Sequence, residues 1–176
     1  MVSMNDSGTR WLTPHQQQQW RAIQRGMALV TDHLDRDLVA AEELSLHEYE
    51  VMVRLSEVPD RRLRMSVLAD QLVHSRSRLT HTVGRMEAKG LVSRCKADGD
   101  GRGVQCVLTD AGFERLAAAA PTHVASVRRR LVDVLDDDQL DALGAAFTRI
   151  AAVIEESTTT QPQPAPAGPA AGVDRG

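Results

Sequence analysis

Between Ser75 and Arg85 the chain sets guanidinium groups at Arg76, Arg78 and Arg85 among hydroxyls at Ser75, Ser77 and Thr80, with an imidazole at His81. Arginine forks can pair bidentately with guanine O6 and N7 or with phosphate oxygens, and hydroxyls can reach bases or the sugar-phosphate backbone. Leu79, Val83 and Met86 recur at spacings of 4 and 3, so they share one helical face. At about 100° per residue, Ser77, Arg78, His81 and Arg85 point away from that face. Ser75 is placed to cap the helix start, and Gly90 sits where a left-handed residue would end it. A helix that is apolar on one side and basic on the other fits a DNA major groove. The same pattern also describes a solvated basic face on an ordinary surface helix, so the neighbouring elements must decide.

Those neighbours supply the frame. Ser66 as N-cap, with Val67, Leu68, Ala69 and Leu72, predicts a short preceding helix, interrupted at Val73 and His74. After Gly90 the period changes to two. Residues 91–97, the run DGDGRG, and residues 104–109 read as a β-hairpin with a glycine-rich tip. Arg102 at that tip would meet a minor groove or a phosphate. Arg61 to Met65 could add a short strand.

Further out the helices are long. Thr13-Pro14 reads as N-cap and first residue of a helix with the stripe Trp20, Ile23, Met27, Val30, Leu34 and Leu38. Ser45 and Glu48 form a capping box for a helix to about Glu57, with Leu46, Tyr49 and Val53 inward, stopped by Pro59. Thr109 caps a helix with the stripe Phe113, Leu116, Ala120, Val124, Val127, Leu131 and Val134, with a kink expected at Pro121. Asp136 with Gln139 starts the last, whose stripe is Leu140, Leu143, Phe147, Ile150 and Ile154. The fold class read from this order is mainly α with a small β-hairpin wing. A winged helix-turn-helix DNA-binding domain at 45–109 is flanked by long dimerisation helices at 13–42 and 110–156. Residues 1–12 read as a flexible N-terminus and 157–176, rich in Pro and Gly, as a disordered tail. The flanking stripes exceed what a small domain can bury, so a second copy could cover them.

Net charge is −3 over 176 residues, which argues against a nucleic-acid binder until its distribution is considered. From Arg61 to Arg102 ten Lys and Arg stand against four Asp and Glu, leaving that block at +6 and the rest at −9. A basic block on an acidic scaffold is the footprint expected of a DNA-reading module. The sequence shows no secretory signal and no membrane-length apolar run, and its two cysteines fit a reducing compartment, so a cytoplasmic location with no membrane partner is expected.

The order of elements, together with Asp100, Arg102, Leu108, Thr109 and Gly112 in the string Asp-x-Arg, five residues, Leu-Thr-x-x-Gly, resembles the MarR family of bacterial winged-helix regulators over roughly residues 13–156. The resemblance implies a homodimer held by the first and last two helices, with each recognition helix in one half of a palindromic operator. It implies a repressor that releases DNA when a small aromatic or anionic effector binds between the dimer and DNA parts. Two departures stand out. Gly101 occupies a wing position often basic in the family, and Val73 a turn position often held by Gly.

Other residues carry competing readings. If the hairpin is symmetric about its tip, Cys95 and Cys106 face each other within disulfide range, which would make the wing a thiol switch; the alternative is two small packing residues. Trp11, Trp20 and Tyr49 could line an effector cavity or simply pack. The six histidines show no metal-ligand spacing, so neither a metal nor a cofactor is expected. No nucleophile elbow, phosphate loop or framed carboxylate pair supports an enzyme. A helical protein-interaction module with a basic face is the reading from a different class.

Overall fold

The computed structural model describes residues 8–73, 75–97 and 100–160, leaving aside the side chains of 97, 100–102 and 158–160. Two compact units are present, one through Val134 and one from Leu135. The sequence predicts one span over residues 13–156.

In the first unit, helix α1 (Pro14–Glu42) opens on the expected capping box, in which Thr13 and Gln16 satisfy each other's backbone N–H groups. Helix α2 (Leu46–Ser56) does the same with Ser45 and Glu48. After a turn at Pro59–Arg61, strand β1 (Arg62–Arg64) leads directly into α3 (Met65–Gln71) and then α4 (Arg76–Ala88). Ser66 is not the cap of α3. Arg64 holds that position without a side-chain bond, because β1 runs into the helix with no intervening loop. Between α3 and α4, Val73 adopts a left-handed φ of 52° and is 92 % exposed. For a β-branched residue that backbone costs about 1–2 kcal/mol.

Strands β2 (Val92–Ala97) and β3 (Asp100–Leu108) complete a three-stranded antiparallel sheet in the order β1-β3-β2. β3 takes in residues 100–103 of the glycine-rich run that the sequence assigned to the tip, and residues 98 and 99 lie outside the described residues. Its register with β2 shifts between Lys96 and Ala97. On the side of that shift away from the tip, Lys96 faces Val104, Cys95 faces Gln105, and Arg94 faces Cys106. This is one residue away from the symmetric pairing, and one residue in a strand reverses the face.

Helix α5 (Asp110–Arg130) runs unbroken through Pro121 and closes in a short 3-10 turn at Val132–Val134, so it stops before the predicted end of its stripe. Its core-facing side is Gly112, Leu116, Ala119 and Ser126, offset from that stripe; Val124 is 53 % exposed. Leu38 of α1 and Leu116 of α5 both belong to the core cluster, and polar pairs add to the hold between the two helices. Ser126 Oγ donates to Asp37 at 2.7 Å, Arg129 and Arg130 also donate to Asp37, and Thr122 and Arg115 both donate to Glu42. On α1, Leu38 is buried, whereas Trp20, Ile23 and Met27 are exposed.

The core sits where α2, α4, the sheet and α5 converge, around Met52, Leu55, Leu68, Leu79, Val83, Met86, Cys106 and Leu108. Thr109 caps α5 by accepting from Gly112 N–H at 3.0 Å, while its hydroxyl donates to the carbonyls of Gly90 and Leu91. Thr109 N–H also donates to Leu91 O at 3.1 Å. Gly112 lies so close to this junction that a Cβ would overlap Leu91 O and stand 2.7 Å from Leu108 Cδ1. The Leu-Thr-x-x-Gly string is thus a packing requirement.

The second unit contains helix α6 (Asp137–Thr160), opened by the expected Asp136–Gln139 pair, with Phe147, Ile150, Val153 and Ile154 exposed along it. It extends past residue 156 into the stretch read as tail; residues 161–176, like 1–7, lie outside the described residues. Among the described residues no helix is long and apolar enough to cross a membrane.

Gly112→Ala should cost about 2–3 kcal/mol by overpacking. Gly84→Ala, where nothing lies within 4 Å of an added Cβ, should instead stabilise by about 0.5–1 kcal/mol. Urea denaturation of both variants checks the pair, and equal midpoints would contradict the close approach at Gly112.

Candidate nucleic-acid interface

Helix α4 is sunk into the core by Leu79, Thr82, Val83 and Met86, all buried. Ser75 caps it, accepting from Arg78 N–H at 3.2 Å. Its end is a Schellman turn: Gly90, at φ 72°, donates to Glu87 O, and Leu91 N–H donates to Met86 O at 3.0 Å. Ser75, Arg76, Ser77, Arg78, Thr80, His81 and Arg85 are all exposed. His74 lies outside the described residues.

The outer surface of α4 divides into three strips at about 100° per residue. Ser77, His81, Gly84 and Ala88 form the outermost ridge, which is low because three of the four are small. Arg76 and Thr80 lie on one flank, against β1 and β3; Thr80 Oγ1 donates to Arg76 O at 2.8 Å. Arg78, Arg85 and Lys89 lie on the other.

Two carboxylates fix this helix to its neighbours, and the sequence reading assigned neither that task. Glu48 of α2 has a side chain only 4 % exposed, yet it accepts from Ser45 N–H at 2.9 Å, Ser45 Oγ at 3.1 Å and Lys89 Nζ at 3.1 Å. Burial alone would raise its pKa. The Ser45 N–H and the Lys89 ammonium outweigh that and hold it below the usual carboxylate value. Arg85 Nε lies 3.9 Å from the same carboxylate, so this predicted reading residue leans toward a protein partner. On the sheet side, Glu87 accepts from Arg94 N–H at 3.0 Å, Nε at 2.9 Å and Nη2 at 2.6 Å. These bonds hold the Glu87 carboxyl below its ordinary range. Glu48 already explained itself as a capping-box residue. Glu87 could have been suspected as a lone acid inside the basic helix.

The hairpin stands directly behind α4, as predicted. The side chains of Asp100 and Arg102 lie outside the described residues. The cysteine pairing is corrected by the register. Cys95 faces Gln105 across the ladder and is exposed, while Cys106 is buried on the opposite face of the sheet. Burial pushes the Cys106 thiol up to about 12, with Glu87 adding to the shift, so it is a packing group and a poor thiolate.

The three aromatic candidates are not brought together. Trp11 and Trp20 are 59 % and 51 % exposed. Tyr49 is buried and stacks on His123, ring centroids 4.4 Å apart. It lines a cavity of about 460 Å³ between α1, α2, α3 and α5, with Leu34, Val53, Arg54 and Gln71 among the other walls. His123 Nδ1 is buried there without a protein partner, and burial lowers the ring's pKa. Among the described residues, no three His, Cys, Asp or Glu side chains are grouped so as to hold a metal ion.

A model of the MarR family matches residues 43–103. The chain is 41% identical to AbsC, a MarR family transcriptional regulator from Streptomyces coelicolor, covering 84% of this chain and 99% of that one with a TM-score of 0.77. It is also 41% identical to Sco3205, a MarR family transcriptional regulator from the same organism whose crystal structure is in complex with DNA; coverage is 84% and 91%, and the TM-score 0.78. Sco5413, likewise of that family and organism, shares the fold at 21% identity, with 82% and 98% coverage and a TM-score of 0.70. No curated protein matches the chain.

Because the Glu48 carboxyl is held low, its contribution is complete above about pH 4.5 and is lost as pH falls through the depressed value. Glu48→Gln should therefore cost about 1–3 kcal/mol at neutral pH, with the gap to wild type closing in acid. Urea titrations at several pH values measure this. Separately, a thiol reagent added to the native protein should label Cys95 quickly and Cys106 only on unfolding, so rapid labelling of both would contradict the register.

Proposed function

Since the chain belongs to the MarR family of transcriptional regulators, we propose that it binds double-stranded DNA as a homodimer and acts as a ligand-responsive repressor at a palindromic operator. One observation carries the reading. The basic side of α4 is exposed along its length while its apolar side is buried, and the β2–β3 hairpin flanks it. Ser75, Arg76, Ser77, Arg78, Thr80 and His81 are the contact residues, joined by Arg85, which is shared with Glu48, and by Arg102 on the wing. The low ridge of Ser77, Gly84 and Ala88 lets the helix axis approach the base edges, and Arg78 extends a fork toward guanine. The family relationship to Sco3205, described in complex with DNA, supports the same partner.

Dimerisation is supported by the uncovered apolar faces. A helix whose first four turns carry exposed Trp20, Ile23 and Met27 gains most of its stability from a partner surface. The exposed stripe of α6 has the same need. Two copies related by a twofold axis would set half-sites about 10–10.5 base pairs apart. The cavity beside Tyr49 and His123 is of a size suited to a small effector. It touches α2, the helix whose Glu48 anchors α4, so a ligand there would act on the position of α4. The low exposure of Cys106 removes the support for a thiol-switch alternative.

Selection of bound sequences from random duplex DNA should return a palindrome. Arg78→Ala should relax base choice at one position per half-site and cost about 1–3 kcal/mol. Recovery of no preferred sequence by the wild-type protein would overturn the reading in favour of a protein-interaction module.

A further inference from the structure

The cavity of about 460 Å³ between α1, α2, α3 and α5 falls within the range of about 300–1,000 Å³ typical of small-molecule sites. Its inner wall is apolar: Leu46 and Tyr49 are buried, and Leu34, Val53 and Leu72 are half-buried around them. The charged part of the described lining is uneven. Glu50 and Glu57 stand there against one cation, Arg54, whose Nη1 donates to Glu57 Oε2 at 3.1 Å. Those two are exposed and neutralise each other. Among the described residues no lysine or arginine pairs with the half-buried Glu50, whose Oε2 lies 3.4 Å from Nδ1 of His47, a ring without charge in its neutral form. His123 does not supply the missing charge either, because burial lowers its pKa against the pull of the Glu50 carboxylate. Tyr49 adds an unmet hydrogen-bonding group. It is 7 % exposed and stacks on His123, and its hydroxyl has no hydrogen-bond partner among the described residues. That hydroxyl is not sealed within the protein, as Nδ1 of His123 is, so it opens on the cavity that Tyr49 lines. A hydroxyl in that setting takes its partner from whatever fills the space.

We propose that this cavity is a site for a small organic cation with a flat apolar body, its charge seated on Glu50 and its hydrogen-bonding edge on the Tyr49 hydroxyl. The inference rests on the ligand-responsive reading above and gives that ligand a chemistry. The family resemblance implies an aromatic or anionic effector. The apolar wall and the Tyr49 ring accept an aromatic body, but Glu50 selects against an anion. A carboxylate ligand would stand beside an unneutralised carboxylate, and one of the two would have to give up its charge. Ammonium and amidinium groups instead donate charge-assisted hydrogen bonds, about twice as strong as neutral ones. Aromatic rings beside the carboxylate add to the attraction for a cation. Glu48, Tyr49 and Glu50 are consecutive in α2: the first accepts from Lys89 of the α4 end, and the other two line the cavity. A bound cation therefore has a short route to the position of α4.

The test uses the full chain and three one-ring probes of nearly the same shape: benzamidine as cation, benzamide as neutral compound and benzoate as anion. Binding is followed by backbone amide NMR shifts. Benzamidine should bind about tenfold more tightly than benzamide, and benzoate more weakly than either, with the shifts centred on Tyr49, Glu50, Val53 and His123. Glu50→Gln should bring benzamidine down to the level of benzamide while leaving benzamide unchanged. Tyr49→Phe should weaken both about fivefold and keep their order. The ranking in wild type needs no variant, so it tests the proposal even if a variant fails to fold. Benzoate binding as tightly as benzamidine, no binding of benzamidine, or shifts elsewhere in the chain would each overturn the proposal. A folded Glu50→Gln with benzamidine affinity intact would do the same. Anisotropy with the duplex recovered by selection separates this outcome from the regulatory one. Benzamidine that binds in the stated order yet leaves operator affinity unchanged upholds the site and overturns the ligand response.

Discussion

The junction at Leu91, Thr109 and Gly112 is the constraint on which the rest of this fold depends. Four elements end or begin there: α4 finishes in its Schellman turn, β2 departs, β3 arrives, and α5 starts. One carbonyl, that of Leu91, accepts from both the backbone and the hydroxyl of Thr109. The same hydroxyl accepts from Gly112 N–H and so caps α5. Because Gly112 has no Cβ, α5 can approach to the distance these bonds require. The angle between the exposed helix and its flanking hairpin is thereby tied to the long helix that leaves this junction.

Around that junction, charge does structural work as well as presenting a basic surface. Glu48 reaches from α2 to Lys89 and Arg85, and Glu87 reaches from α4 to Arg94. The cations nearest the body of the protein are thus matched by carboxylates, whereas those on the first turns of α4 face outward. A basic block within an acidic chain thus includes cations that lock the helix in place and cations exposed on its first turns. Asp37 and Glu42 do for α1 and α5 what Glu48 does for α2 and α4. Charged and hydroxyl groups therefore add to the packing of the long helices beside Leu38 and Leu116.

Much of this was legible in the residues. The caps at Thr13, Ser45, Ser75, Thr109 and Asp136 all form, because each is a local bond between a side chain and a backbone group three residues away. The stripe Leu79, Val83 and Met86 is buried as its spacing demands. The α5 stripe is only in part what packs inward, because most of the buried positions on that helix are small residues. Periodicity reports that a face is apolar and does not say whether this chain or another covers it. On α5 the buried residues are Gly112, Leu116, Ala119 and Ser126, and three of these four carry little hydrophobic signal.

Two further features lay out of reach for the same reason. Strand alternation in the hairpin was clear, but no local pattern announces its register, which pairs Arg94 with Cys106 and Cys95 with Gln105 and so puts the two cysteines on opposite faces. The cavity beside Tyr49 is likewise a product of packing, since Leu34, Glu50, Gln71 and His123 come to it from four helices. Read alone, the residues specified what each segment would become and which end would be capped, since those outcomes depend on neighbours within one turn. Which faces meet, which cysteine is buried and which carboxylates line a cavity were settled by long-range pairing, because a contact between distant segments is a property of the packed chain and leaves no periodic trace in either segment.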